Sequence, residues 1–200
     1  MKFLIRFLAA DGTILVPLYE IDMRFLLTTI ILTMLAQPLW AGSLVEIQLM
    51  DKLDEQRGFC IDIRGHKERA KVHRGLQAHT CYSYQGQLGV DQAFDAKLMA
   101  RGTFYLPAFD VCMEAGGDVE GAGLKLDICD DTKAQQFEFT ADNQIRVASN
   151  DSLCVTIDAS GSKQGGGGTP RHLLRALTLE SCVKSASKYT IWRMNAQPSR

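Results

Sequence analysis

One pattern recurs three times in this chain and leaves few folds open to it: a short strand that ends in cysteine. The copies are Leu76-Gln77-Ala78-His79-Thr80-Cys81, Leu124-Lys125-Leu126-Asp127-Ile128-Cys129 and Leu177-Thr178-Leu179-Glu180-Ser181-Cys182. Apolar and polar residues alternate in each, the period of a half-buried strand. Leu76, Leu124 and Leu177 face one way, and Gln77, Lys125 and Thr178 the other. Another cysteine strand precedes each copy, at 59–63, 111–114 and 153–157. An aromatic segment follows each: Gln92-Ala93-Phe94, Gln135-Gln136-Phe137-Glu138-Phe139 and Tyr189-Thr190-Ile191-Trp192. Copies spaced by roughly 40–50 residues mark a repeat architecture whose units cannot bury a core alone. Turn-forming runs at 141–144 and 149–152 separate strands around the last boundary.

All six cysteines fall inside these units. Treating every unit alike selects Cys60–Cys81, Cys112–Cys129 and Cys154–Cys182 from about 15 pairings. Each bridge is expected to stabilise the domain by roughly 3 kcal/mol. Disulfides need an oxidising compartment, and the N-terminal segment reads as the route to one. Arg24, the apolar run Phe25 to Ala36, Pro38 and the small residues Ala41, Gly42 and Ser43 predict a signal peptide over 23–41. Asp11, Glu20 and Asp22 do not belong in front of such a signal, so 1–22 are expected to be a mis-assigned upstream start. The alternative is an uncleaved anchor over about 14–39, which the charges of Glu20, Asp22 and Arg24 disfavour. The mature chain, 42–200, is then expected to be secreted or periplasmic, with no membrane span.

A formal net charge of -1 speaks against nucleic acid as a partner. No nucleophile stands beside a base, so no enzyme is expected, and no cofactor is implied. His66, His73 and His79, with Lys67, Arg69, Lys71 and Arg74, form a basic patch in the first unit. Their spacing matches no common zinc pattern; the patch reads as a solvated loop or as a surface attractive to anionic glycans. The insertion 161–169 carries four consecutive glycines. It lacks the Lys-Ser/Thr ending of a phosphate loop and reads as a flexible hairpin tip.

Taken together, Cys-x-Asp, a second Cys and Gln-x-aromatic in three units resemble the ricin B-type lectins, whose hallmark is a Gln-x-Trp motif in each repeat. The resemblance covers Val45 to Met194. It implies an all-β fold, a β-trefoil of three internal repeats (about 45–98, 99–142 and 143–195), with six strands in a barrel and six in a cap. Phe94 and Phe137 replace the family's Trp, and the third unit has Ser187-Lys188-Tyr189 with no Gln.

The resemblance also implies a carbohydrate site, with a carboxylate for the hydroxyls and a ring for the sugar's apolar face. In the first unit Asp62 is at the Cys-x-Asp position, Gln77 and His79 share a strand face, Asp91 takes the family's Asn position, and Gln92 props the carboxylate. Glu114, Lys125, Asp127 and Ala134 match these positions in the second unit, and Thr156, Thr178, Glu180 and Ala186 in the third. At most one working site is therefore expected, for a galactose-type or anionic glycan. The bland reading of the same residues has Asp62 capping a turn, His79 idle and Gln92 bracing the fold. The alternative function is a protein-binding trefoil, a toxin-complex subunit or inhibitor that has lost its sugar. Asp62 with Asp91 mimics a glycosidase dyad, but the family binds sugars without cleaving them.

Overall fold

The computed structural model describes residues 43–196, so the signal peptide expected over 23–41 and the upstream start over 1–22 lie outside the described residues. Fourteen strands are present among those described. The first unit holds β1 (Leu44–Leu49), β2 (Phe59–Ile63), β3 (Leu76–Thr80) and β4 (Phe94–Asp95). The second holds β5 (Tyr105–Leu106), β6 (Val111–Ala115), β7 (Leu124–Asp127) and β8 (Phe137–Phe139). The third holds β9 (Ile145–Val147), β10 (Asn150–Ile157), β13 (Leu177–Ser181) and β14 (Trp192–Ala196). An extra hairpin of β11 (Lys163–Gln164) and β12 (Leu173–Arg175) is inserted between β10 and β13.

Four strands per unit, plus one inserted hairpin, is a β-trefoil. β1 pairs β14 and β4, β8 pairs β9, β4 packs on β5, and Thr103 bridges Gln136, which carries the barrel round. The hairpins β2–β3, β6–β7 and β10–β13 form the cap. Alternation in the sequence settles their faces: in β7, Leu124 and Leu126 are buried while Lys125 and Asp127 are exposed. The predicted turn at 149–152 is displaced, because Asn150 already belongs to β10.

Inside, Phe104 meets Phe94 and Phe137 edge-on or tilted, at ring-centroid distances of 6.4 and 5.5 Å. Trp192 joins this core fully buried. Disulfides Cys60–Cys81, Cys112–Cys129 and Cys154–Cys182 staple the three cap hairpins, the pairing that follows from treating the units alike.

The third unit is aligned differently from the expectation. Trp192 N–H donates to the Asn143 carbonyl at 2.8 Å, as Phe137 N–H does to that of Gly102 at 2.9 Å. Trp192, not Tyr189, therefore fills the third aromatic slot, and fully buried Thr190 stands where the other units have Gln92 and Gln135. No Gln marks the slot in this unit, and Tyr189, only half-buried, ends a short 3₁₀ turn.

Candidate site in the first repeat

The register of β2 against β3 sets Asp62 opposite Gln77 and Cys60 opposite His79. Gln77 Nε2 donates to Asp62 Oδ1 at 2.9 Å, and Gln92 Nε2 donates to Oδ2 at 3.1 Å. The same Gln92 amide group spans the chain: its Nε2 donates to the Thr80 carbonyl at 3.1 Å and its Oε1 accepts from Tyr82 N–H at 3.0 Å. His79 Nδ1 lies 2.7 Å from the Thr80 carbonyl, where it must carry the proton, and 4.0 Å from Asp62 Oδ2. Asp91 Oδ2 accepts the backbone N–H of Lys67, while its buried Oδ1 has no partner.

All five residues expected at a sugar site thus come together, but in the interior. Asp62 is 1% exposed, Gln77 and His79 6%, and Asp91 and Gln92 not at all. Burial drives the Asp62 carboxyl well above the ordinary carboxylate range, and the Asp91 charge adds to it. Asp91 is raised by burial too. Burial takes His79 down to about 4. Acid and imidazole are both pushed toward their neutral forms, so their 4.0 Å approach is a polar contact and not an ion pair.

What covers the site comes partly from another repeat. The inserted hairpin docks by its β12 on β3, with Leu174 opposite His79 and Arg175 opposite Ala78. Leu173 N–H donates to Thr80 Oγ1 at 2.8 Å. The Arg57 guanidinium donates to the carbonyls of Pro170 and Arg171, both at 2.9 Å, while also pairing with Glu55 at 2.7 Å. Asp54 accepts from Ser162 at 2.7 Å and Arg175 at 2.8 Å. This strap lays buried His172 against the rings of His79 and Tyr82, at 5.0 and 5.5 Å, with its Nε2 3.0 Å from Tyr84 Oη. Residues 161–169 do form one arm and the tip of a hairpin, but the hairpin as a whole is docked on the first repeat. Its tip is exposed, but Gly165, His172 and Arg175 are buried. The excess length of the third unit was the only sequence signal of this cover, and nothing in it pointed across to the first repeat. His79, buried beneath, is also separated from the exposed His66 and His73 with which it was grouped.

The matching positions elsewhere are poorer. Glu114 faces Lys125 and takes one bond, from Gln135 Nε2 at 3.2 Å. Gln135 repeats the bracing role of Gln92, donating to the Ile128 carbonyl at 2.9 Å and accepting from Asp130 N–H at 3.1 Å. Thr156 faces Thr178, with no carboxylate at either position.

The model of the ricin-type β-trefoil lectin domain matches this chain in two overlapping stretches, 51–163 and 100–199. The chain belongs to that family. Among solved structures it is similar to a mutant of the C-terminal domain of an earthworm lectin in complex with 6'-sialyllactose, at 13% identity and a TM-score of 0.50, covering 77% of this chain and 98% of that one. It is also similar to the agglutinin of Abrus precatorius, at 12% identity and a TM-score of 0.50, covering 77% of this chain and 48% of that one. A third similarity is to the β-trefoil lectin of the Vibrio vulnificus hemolysin/cytolysin, with N-acetyl-D-lactosamine bound, at 14% identity and a TM-score of 0.48, covering 80% and 98%. Comparison with curated proteins returned no match.

Proposed function

We propose that this is an exported, non-enzymatic carbohydrate-binding protein in which at most one of the three repeat positions holds a sugar, the Asp62 cluster of the first repeat. One observation carries the reading: among the three repeats, only there does a carboxylate stand between two amide donors, Gln77 and Gln92, beside the rings of His79, Tyr82 and His172. Export is supported by the three disulfides, which leave no free cysteine among the described residues. For a sugar to reach Asp62, the tip of the strap must lift His172 away, which brings water to the carboxyl and favours its ionised, accepting form.

The test is a glycan array that includes galactosides, N-acetyl-lactosamine and sialylated chains, probed with the oxidised protein displayed multivalently. Asp62→Asn keeps the shape of the side chain and is expected to abolish binding. Arg57→Ala removes both guanidinium bonds to the strap, and binding is expected to strengthen by roughly tenfold as opening becomes cheaper. The enclosure of Asp62 favours one other reading, a trefoil that keeps the scaffold for a protein partner. Silence from both the wild type and Arg57→Ala would overturn the lectin reading and leave that alternative standing.

A further inference from the structure

We propose that the loop 64–74 is a second carbohydrate surface, one that holds a polyanionic polysaccharide by charge and independently of Asp62. Within these residues Arg64, Lys67, Arg69, Lys71 and Arg74 face a single acid, Glu68, in a protein whose formal net charge is -1. Arg64 and Lys67 are partly engaged beneath the loop: Arg64 Nε donates to the Leu76 carbonyl at 3.2 Å, and Lys67 Nζ lies 5.3 Å from the centre of the Tyr82 ring. Arg69, Lys71 and Arg74 are exposed, and none of them enters an ion pair among the described residues. The exposed Lys125 of β7 extends the patch, because the turn Val72–Arg74 packs on that strand.

These cations are displayed on a fixed frame. Two 3₁₀ turns, Lys67–Arg69 and Val72–Arg74, are closed by Lys71 N–H to the Arg64 carbonyl at 2.7 Å and Arg64 N–H to that of Gly75 at 3.1 Å. Gly75 (φ 69°) fits against the second repeat so closely that a Cβ there would come within 2.5 Å of the Leu124 carbonyl oxygen. Ala70 and Val72 anchor the underside on the core. A framed set of guanidinium and ammonium groups loses little freedom on meeting sulfates or carboxylates, which the arginine fork engages bidentately.

The chemistry of the patch selects its occupant. No large exposed apolar side chain lies in 64–74 to enter a bilayer: Met50, Tyr84, Val119, Ile128, Val183 and Met194 are all elsewhere. No phenylalanine, tyrosine or tryptophan lies in the loop to stack on a base. A sulfated or uronate-bearing chain needs neither.

Heparin is the probe. The oxidised wild type is expected to be retained on immobilised heparin at low salt, with log affinity falling against log salt at a slope of about three to five. The triple variant Arg69→Glu, Lys71→Glu, Arg74→Glu is expected to bind roughly a hundredfold more weakly. A control with the same change of net charge elsewhere, Arg101→Glu, Lys133→Glu, Lys188→Glu, is expected to elute near the wild type. Asp62→Asn is expected to retain heparin, which separates this surface from the sugar site: loss of array binding alone leaves it standing. The proposal is overturned if the wild type is not retained, if the control loses as much as the loop variant, or if vesicles of phosphatidylserine or a DNA duplex bind the loop more tightly than heparin.

Discussion

Replacing Trp192 with Ala is expected to cost about 3–5 kcal/mol of stability, and replacing Tyr189 with Ala less than half of that. Trp192 is fully buried, sits opposite Leu49 across the β1–β14 pair, and donates its indole N–H to the Val155 carbonyl at 2.9 Å. Truncation removes a large ring from a closed core and leaves that carbonyl without its donor. The strand it begins also returns the chain to β1, so the cavity opens where the two ends of the trefoil meet. Tyr189 has a different environment. It packs half-buried at the edge of the core, and the contact recorded for its ring is Lys188 Nζ at 4.9 Å. Urea unfolding followed by far-ultraviolet circular dichroism gives both values. A Tyr189→Ala loss equal to that of Trp192→Ala would overturn the assignment of the third aromatic slot.

That slot marks where reading by repeat reached its limit. The cap hairpins were legible because the second strand of each alternates apolar and polar residues and both strands carry a cysteine at a fixed place; the cysteine strand read at 59–63 is β2, Phe59–Ile63. The disulfide pairing followed from the same symmetry. In the third unit the alignment rested on an aromatic residue without a Gln to fix its place, and so fell on Tyr189 in place of Trp192. The Gln92 brace was legible because a resemblance assigned it a role, and Gln135 makes the same two backbone bonds. Enclosure of the Asp62 cluster was not legible. It depends on a strap far away in sequence, held by backbone pairing with β3 and by the scattered side chains Asp54, Arg57 and Thr80, none of which forms a local pattern. Local periodicity reports which face of a strand is apolar; it does not report what lands on the polar face.

The enclosure has a measurable consequence in acid. The stability advantage of wild type over His79→Gln is expected to shrink by about 3 kcal/mol as the pH falls from 6.5 to about 4. A histidine held below its ordinary value stabilises the fold fully above 6.5, and that contribution is lost as the pH drops through the folded value. Burial is the main cause here, and the neighbouring charges of His172, His66 and Arg57 act in the same direction against the Thr80 carbonyl. Asp62 and Asp91 run the other way. Their raised carboxyls contribute fully below the ordinary value of 3.8, and that contribution is lost as the pH rises through their folded values. Wild type alone therefore shows a blunted acid response, and only the difference between the two proteins isolates the histidine. The glutamine side chain of the variant keeps a donor for the Thr80 carbonyl without a proton to gain. Thermal melts at intervals from pH 7 to 4 give the comparison, at roughly 2–4 °C per kcal/mol for a domain of this size. A difference that stays flat over that range would mean that His79 titrates as an open, solvated ring. The strap would then stand away from the site in solution, and Arg57→Ala would have no latch to release.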